Sequence, residues 1–286
     1  MRPKFASSVP RRQQHLTSAT KRQADQAIDA ALADYQAVQA TLPADAAIHL
    51  SIGTALLAME KLTDAEAAYR RAIMLAPASP AAWKKLAELQ TKSGRHDEAI
   101  DSYQAALLLD ACDVQTLNEL GNALQAVGQL DEAMAAYRQM QAIEPDHAHA
   151  HNNIGSVLQA RGQIDLATQE YQRALAINPH FASAHFNLGT VQLLLEKLDD
   201  SLIHFSNTIQ YDPHFYAAHN NLSATLSKLG RIDEAVAACR HAIGISPAWN
   251  EMHSNMLFAL THSASTHPDT LFKEHQRFGQ QFEAPL

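Results

Sequence analysis

Proline recurs along this chain at a fixed interval. Pro43, Pro77, Pro145, Pro179, Pro213 and Pro247 are separated by 34 residues or by twice that. The skipped position holds Ala111, inside a Leu-Leu-Leu-Asp-Ala stretch that otherwise fits. Two more ladders keep the same period. One is Ala31, Ala65, Ala99, Ala133, Ala167 and Ala235, with Ser201 filling its gap. The other is Tyr35, Tyr69, Tyr103, Tyr137, Tyr171 and Phe205, ending in Cys239. Three ladders with one period mean that a single supersecondary unit is repeated, each copy packing on its neighbours.

Setting proline near the end of each unit gives repeats 12–45, 46–79, 80–113, 114–147, 148–181, 182–215 and 216–249. Each splits into two helical halves. In 148–181 the first half, Ala148–Arg161, places Ile154, Val157 and Leu158 at helical spacing. Gly162 stops it, because glycine tolerates the positive φ of a helix C-terminus. The second half, Ile164–Ile177, puts Asp165 at the positive end of the helix dipole. Asn178-Pro179 ends it, since proline drives its predecessor out of the α region. Asp-Glu pairs at 97–98, 131–132 and 233–234 repeat the start signal.

Composition agrees with helices. Ten glycines and 11 prolines in 286 residues are too few for a turn-rich β fold, and 47% hydrophobic residues exclude disorder throughout. The pattern predicts an all-α, right-handed superhelical solenoid of helix-turn-helix units whose first helices line a concave groove. Small ladder residues let the paired helices approach, and Tyr69, Tyr103, Tyr137 and Tyr171 are expected to fill the gap toward the next unit. Residues 1–11 read as a basic flexible tail and 12–249 as seven repeats, the first degenerate. Residues 250–286 read as a half-repeat, a loop and a capping helix over Thr270–Phe282, with Leu271, Phe272, His275, Phe278 and Phe282 on one side.

Charge narrows the partners. Residues 1–22 carry Arg2, Lys4, Arg11, Arg12, Lys21 and Arg22 and no acid. Removing those six leaves 16 basic side chains against 30 acidic ones, a body of −14 that repels phosphate backbones and argues against nucleic acid. The head lacks the apolar core of a secretory signal, although an Arg- and Ser-containing, acid-poor start shares its composition with transit peptides. The longest apolar runs are five residues, as in Ala72–Ala76, so no membrane-spanning helix is expected. Two cysteines, Cys112 and Cys239, form no disulfide framework and suit a reducing, cytoplasmic setting.

Candidate chemistry is sparse. His15, His49, His151, His185, His219 and His253 share one repeat position with Trp83 and Leu117, which marks packing rather than metal binding. His147, His149 and His151 straddle a helix start with no cysteine or acid arranged as zinc requires. Neither a phosphate loop nor a nucleophile elbow is present, so no catalytic, cofactor or metal residue is assigned. Asparagine, by contrast, is phased. Asn153, Asn187, Asn221 and Asn255 stand at the sixth position of their first helices, and Asn118, Asn152 and Asn220 one position earlier. A primary amide both donates and accepts, so such a ladder can hold a peptide backbone without reading its side chains. The alternative is that these amides bond neighbouring helix backbone. A carboxylate clamp is disfavoured, because only Lys84 and Lys85 stand in that region and Glu119 follows them.

The pattern of Trp83, Leu86, Ala99, Tyr103 and Ala106, or of Ile154, Gly155, Tyr171, Ala174 and Pro179, resembles the tetratricopeptide repeat over residues 46–249. In 12–45 the resemblance holds for the second helix only. A finer resemblance covers His253-Ser254-Asn255-Met256-Leu257-Phe258, His267-Pro268-Asp269, Leu271-Phe272, Glu274-His275, Arg277-Phe278 and Ala284-Pro285-Leu286. These are similar to the segment joining repeats to catalytic domain in bacterial SPINDLY-type O-linked N-acetylglucosamine transferases, and Ala184–Gly189 fits the same family. The resemblance implies a protein substrate held along the Asn-lined groove. In that family the sugar-nucleotide site and catalytic histidine lie beyond the joining segment, so no catalytic residue carries over and this chain is read as a non-enzymatic recognition arm. A stand-alone scaffold using its outer face, or a fragment of an active transferase, are the alternatives. The terminal half-unit is also a place where a second copy of the chain could pair.

Overall fold

The structure, a computed structural model, describes residues 27–40, 42–263 and 266–283. The basic head, with His15 and the first half of repeat 12–45, lies outside the described residues. Every regular element among the described residues is helical. Helix α1 covers 27–40. The first helices of successive repeats are α2 (Ala46–Ala58), α4 (Pro80–Lys92), α6 (Val114–Ala126), α8 (Ala148–Ala160), α10 (Ala182–Leu194), α12 (Tyr216–Lys228) and α14 (Asn250–His262). The second helices are α3 (Leu62–Leu75), α5 (His96–Leu109), α7 (Leu130–Ile143), α9 (Ile164–Ile177), α11 (Leu198–Tyr211) and α13 (Ile232–Ile245). The 34-residue period thus fixes the start of every helix from α2 to α14. Gly94, Gly128, Gly162 and Gly230 take φ between 71° and 81° at the turns, and Glu60 and Glu196 adopt the same left-handed conformation where glycine is missing.

The chain divides into two compact bodies, Met1–Gln139 and Met140–Leu286. Within the N-terminal body α2 pairs with α3 and α4 with α5; within the C-terminal body α8 pairs with α9, α10 with α11 and α12 with α13. The alanine ladder is the contact line. Ala65, Ala99, Ala133, Ala167, Ala235 and Ser201 are all fully buried.

Four rings of the aromatic ladder lie over a glycine of their own repeat's first helix, and Tyr69 also shares a core with Leu86 and Leu89 of the next repeat. A methyl group added at Gly53 would stand 2.5 Å from the ring of Tyr69, one at Gly155 2.7 Å from Tyr171, and one at Gly189 2.8 Å from Phe205. Gly121 and Tyr137 repeat the arrangement. A fully desolvated ring needs volume, and a missing Cβ on the opposing helix supplies it in these four repeats, whereas Tyr103 is buried in a repeat that has Ala87 at the glycine position. Each tyrosine then needs a partner for its hydroxyl. Tyr137 donates to Asn122 Oδ1 at 2.8 Å and Tyr171 to Gln159 Oε1 at 2.7 Å. Burial pushes the Tyr103 hydroxyl up to about 12. In repeat 216–249 both members change together: Ser223 replaces the glycine and Cys239 the ring, with Oγ and Sγ 3.0 Å apart. Burial raises the Cys239 thiol above its ordinary value.

The C-terminal helix differs from the expected one in its bounds. Helix α15 runs from Pro268 to Phe278, shorter than Thr270–Phe282, and passes into a wide π-turn at Gly279–Glu283. His267 Nδ1 accepts from the Asp269 backbone N–H at its start. No side chain of α15 is fully buried. Leu271 packs against the core that includes Met252 and Met256 of α14, and Phe282 meets His253 with ring centroids 5.0 Å apart, while Phe272 remains 63% exposed.

Candidate functional site

First helices of neighbouring repeats touch within the C-terminal body, α8 with α10, α10 with α12 and α12 with α14. Along these contacts the asparagines meet in pairs. Asn187 Nδ2 donates to Asn152 Oδ1 at 2.9 Å. Asn255 Nδ2 donates to Asn220 Oδ1 in the same way. Each bond joins residues 35 apart, so the sixth position of one repeat reaches the fifth position of the repeat before it. Asn152 also donates to Asn153 Oδ1 at 3.1 Å and is buried, whereas Asn153, Asn187, Asn220, Asn221 and Asn255 are half-buried. Asn221 has no such rung, because the fifth position before it is Phe186. Phe186 packs instead on Phe215, ring centroids 4.8 Å apart. In the N-terminal body Asn118 donates to Glu119 Oε1 at 3.1 Å.

The amides therefore bond one another across repeats rather than only helix backbone. An amide has two N–H donors and an oxygen with two lone pairs. The Asn187 rung uses one donor of Asn187 and one acceptor site of Asn152, which fixes the amide plane and leaves a donor and an acceptor on Asn187 for a ligand. Lys84 and Lys85 are committed elsewhere: Lys84 Nζ lies 2.5 Å from Asp113, the N-cap of α6, and Lys85 Nζ 2.6 Å from Glu88.

The histidine ladder carries a hydrogen bond that the sequence reading missed. Ring Nε2 donates to the carbonyl of the preceding repeat's proline: His49 to Pro43 at 3.2 Å, His151 to Pro145 at 3.2 Å and His185 to Pro179 at 3.0 Å. His219 does so to Pro213 at 2.9 Å and His253 to Pro247 at 3.0 Å. Trp83 Nε1 makes the same bond to Pro77 at 3.2 Å. Where proline gives way to Ala111, the clip residue is Leu117, which has no donor, and Gln139 Nε2 serves the Ala111 carbonyl at 3.1 Å. The joint loss of proline at 111 and histidine at 117, on either side of one repeat junction, was the available signal. The clip consumes Nε2, and among the described residues no three His, Cys, Asp or Glu side chains gather as a metal site requires. The rings of His147 and His149 are 5.6 Å apart, but His151 turns to Pro145 and to Glu170. Burial holds His149, His185, His204 and His219 below the ordinary histidine value. No helix among the described residues is long and apolar enough to cross a membrane.

Tetratricopeptide-repeat family models match residues 19–80, 50–113, 114–140 and 216–248, and a TPR repeat model matches 155–195. The chain is a tetratricopeptide-repeat protein. Its fold is similar to that in the APC/C hetero-tetramer Cut9–Hcn1, with a TM-score of 0.66 at 19% identity over 82% of this chain and 46% of that one. This chain therefore spans about half the length of that relative. PilF of Pseudomonas aeruginosa gives 0.60 at 16% identity over 73% and 95% of the two chains. YrrB, described as a TPR protein with an unusual peptide-binding site, gives 0.52 at 20% identity over 64% and 95%. At these identities the likeness is one of fold. No curated protein sequence matches the chain. Repeats of this family generally mediate protein–protein contacts and serve as non-catalytic scaffolds.

Proposed function

We propose that this protein is an interaction module that holds extended peptide or protein segments on the amide-lined surface of its first helices. The observation that carries the reading is the Asn152–Asn187 and Asn220–Asn255 rungs, which hold amides in fixed orientation with hydrogen-bonding capacity to spare. Backbone-directed amides favour a sequence-tolerant ligand. The test is capture on an array of unstructured peptides, with Asn153, Asn187 and Asn221 all replaced by Ala. Each lost hydrogen bond is expected to cost about 0.5–1.5 kcal/mol of binding while the helical circular dichroism persists. Unchanged capture by the triple variant sinks the reading.

Within this proposal the chain corresponds to the substrate-recognition arm of a SPINDLY-type glycosyltransferase and works in the cytoplasm. The support is the segment from His253 to Leu286 and two free cysteines, one of them buried. The intact mass of the native protein separates a 31.3 kDa stand-alone module from an arm joined to a catalytic domain.

A second reading, an assembly scaffold using the outer face, is favoured by one observation. Met74 and Leu108 occupy the same repeat position on α3 and α5 and are 70% and 88% exposed. Partner binding that survives the asparagine variants but fails on Leu108→Asp selects it.

A further inference from the structure

The Asn220–Asn255 rung stands between two openings in the seam of α12 and α14. One, of about 320 Å³, is bordered by Asn250, Glu251 and Ser254 as well as the rung. The other, of about 370 Å³, is bordered by Ser223, Ala224, Ser227, Lys228 and Phe258. Ser223, which borders the second opening, is held from behind by Cys239 with Oγ and Sγ 3.0 Å apart. Phe258 is 63% exposed at its wall, its ring tilted against that of His262 with centroids 4.5 Å apart.

The cleft is polarised. Lys228, in the last turn of α12, and Glu251, in the first turn of α14, make no ion pair among the described residues. Other cations of the repeats are committed, Arg70 and Arg95 to Glu66, Arg173 to Glu170 and Arg231 to Glu234. An unpaired ammonium beside a largely exposed aromatic ring, next to two amides, has a definite complement. A carboxylate pairs with Lys228, an apolar side chain covers Phe258 and Ala224, and the intervening backbone meets the amides of Asn220 and Asn255. Glu251 at the far opening repels a carboxylate placed there, which sets the direction in which such a segment lies.

We propose that the α12–α14 cleft is a specificity pocket for an apolar residue followed by an acidic one within an extended peptide. This rests on the reading that the first helices form the peptide-binding surface and adds a side-chain preference to it. The test uses the full chain and two fluorescein-labelled peptides, Ser-Gly-Phe-Glu-Gly-Ser and Ser-Gly-Phe-Lys-Gly-Ser, followed by anisotropy. The Phe-Glu peptide is expected to bind about tenfold more tightly, since a charge-assisted contact replaces a repulsion. Lys228→Glu, an exposed site that leaves folding intact, inverts the preference, and Phe258→Ala weakens both peptides by about tenfold. Equal binding of the two peptides that is lost in Asn255→Ala overturns the pocket while leaving the amide surface standing. Failure of both peptides to bind, together with an unresponsive peptide array, overturns both.

Discussion

The Nδ1 atoms of His185 and His204 lie 3.0 Å apart, facing each other across the α10–α11 contact. His185 already donates from Nε2 to the Pro179 carbonyl, so its Nδ1 must accept and the His204 Nδ1–H must donate. One proton fits between the rings and a second does not. His180 and the Tyr211 ring also face His185, and Asp200 faces His204. In the repeat before, Glu170 occupies the position of His204, with its Oε2 2.7 Å from His151 Nδ1.

Acid is therefore expected to loosen this pair. Burial holds both His185 and His204 below the ordinary value of 6.5. The unfolded chain takes up protons first as pH falls, so the pair's stabilisation is complete above about 6.5 and is lost as pH drops through the folded values. Thermal unfolding followed from pH 8 to pH 5 should show a falling midpoint. His204→Glu, which copies the Glu170 arrangement, should flatten that fall. An identical fall in the variant would mean that the proton acts elsewhere.

The glycine seats make a second expectation. Gly155→Ala gains about 1 kcal/mol of helix propensity. It also drives a methyl group to 2.7 Å from the buried Tyr171 ring, whose hydroxyl is held by Gln159. Overpacking of this kind costs about 1–3 kcal/mol, so the net effect is loss of stability. Tyr171→Ala should cost about 3–5 kcal/mol. Denaturant titration reads both, and a stabilised Gly155→Ala would show that the ring moves aside freely.

Removing a clip should be costly because the carbonyl stays behind. His219 is 2% exposed and donates to Pro213 at 2.9 Å. His219→Leu keeps most of the apolar contact and strands the acceptor, at about 1–3 kcal/mol. Chemical denaturation measures it, and a loss under about 0.5 kcal/mol would mean that the Pro213 carbonyl finds another donor.

The rung itself can be isolated by a double-mutant cycle. Asn152→Ala and Asn187→Ala, singly and together, should show a coupling of about 0.5–1.5 kcal/mol in stability. Additive losses would mean that the 2.9 Å bond contributes nothing in solution.

Helix boundaries were legible in the sequence because local chemistry sets them: the left-handed glycine at 162, the acid at 165 and the proline at 179 act within a turn of their own position. Repetition then multiplied each weak signal at a 34-residue period. The candidate asparagines were visible too, by phase. Pairing was not. That Asn187 bonds Asn152 while Asn221 has no rung depends on residue 186 being phenylalanine in a helix one repeat away, and sequence spacing along one helix carries no such information.

The sequence by itself determined an all-helical array, its period and the positions that would be buried, because propensity, capping and amphipathic spacing are local and recur. Tertiary structure alone decided which groups meet. It seated Tyr171 over Gly155, turned His185 toward both Pro179 and His204, and left Lys228 without an ion pair beside the Asn255 amide. Those outcomes follow from which side chain must be desolvated and which neighbouring helix has the space or the acceptor to receive it, a condition met only once the helices are packed.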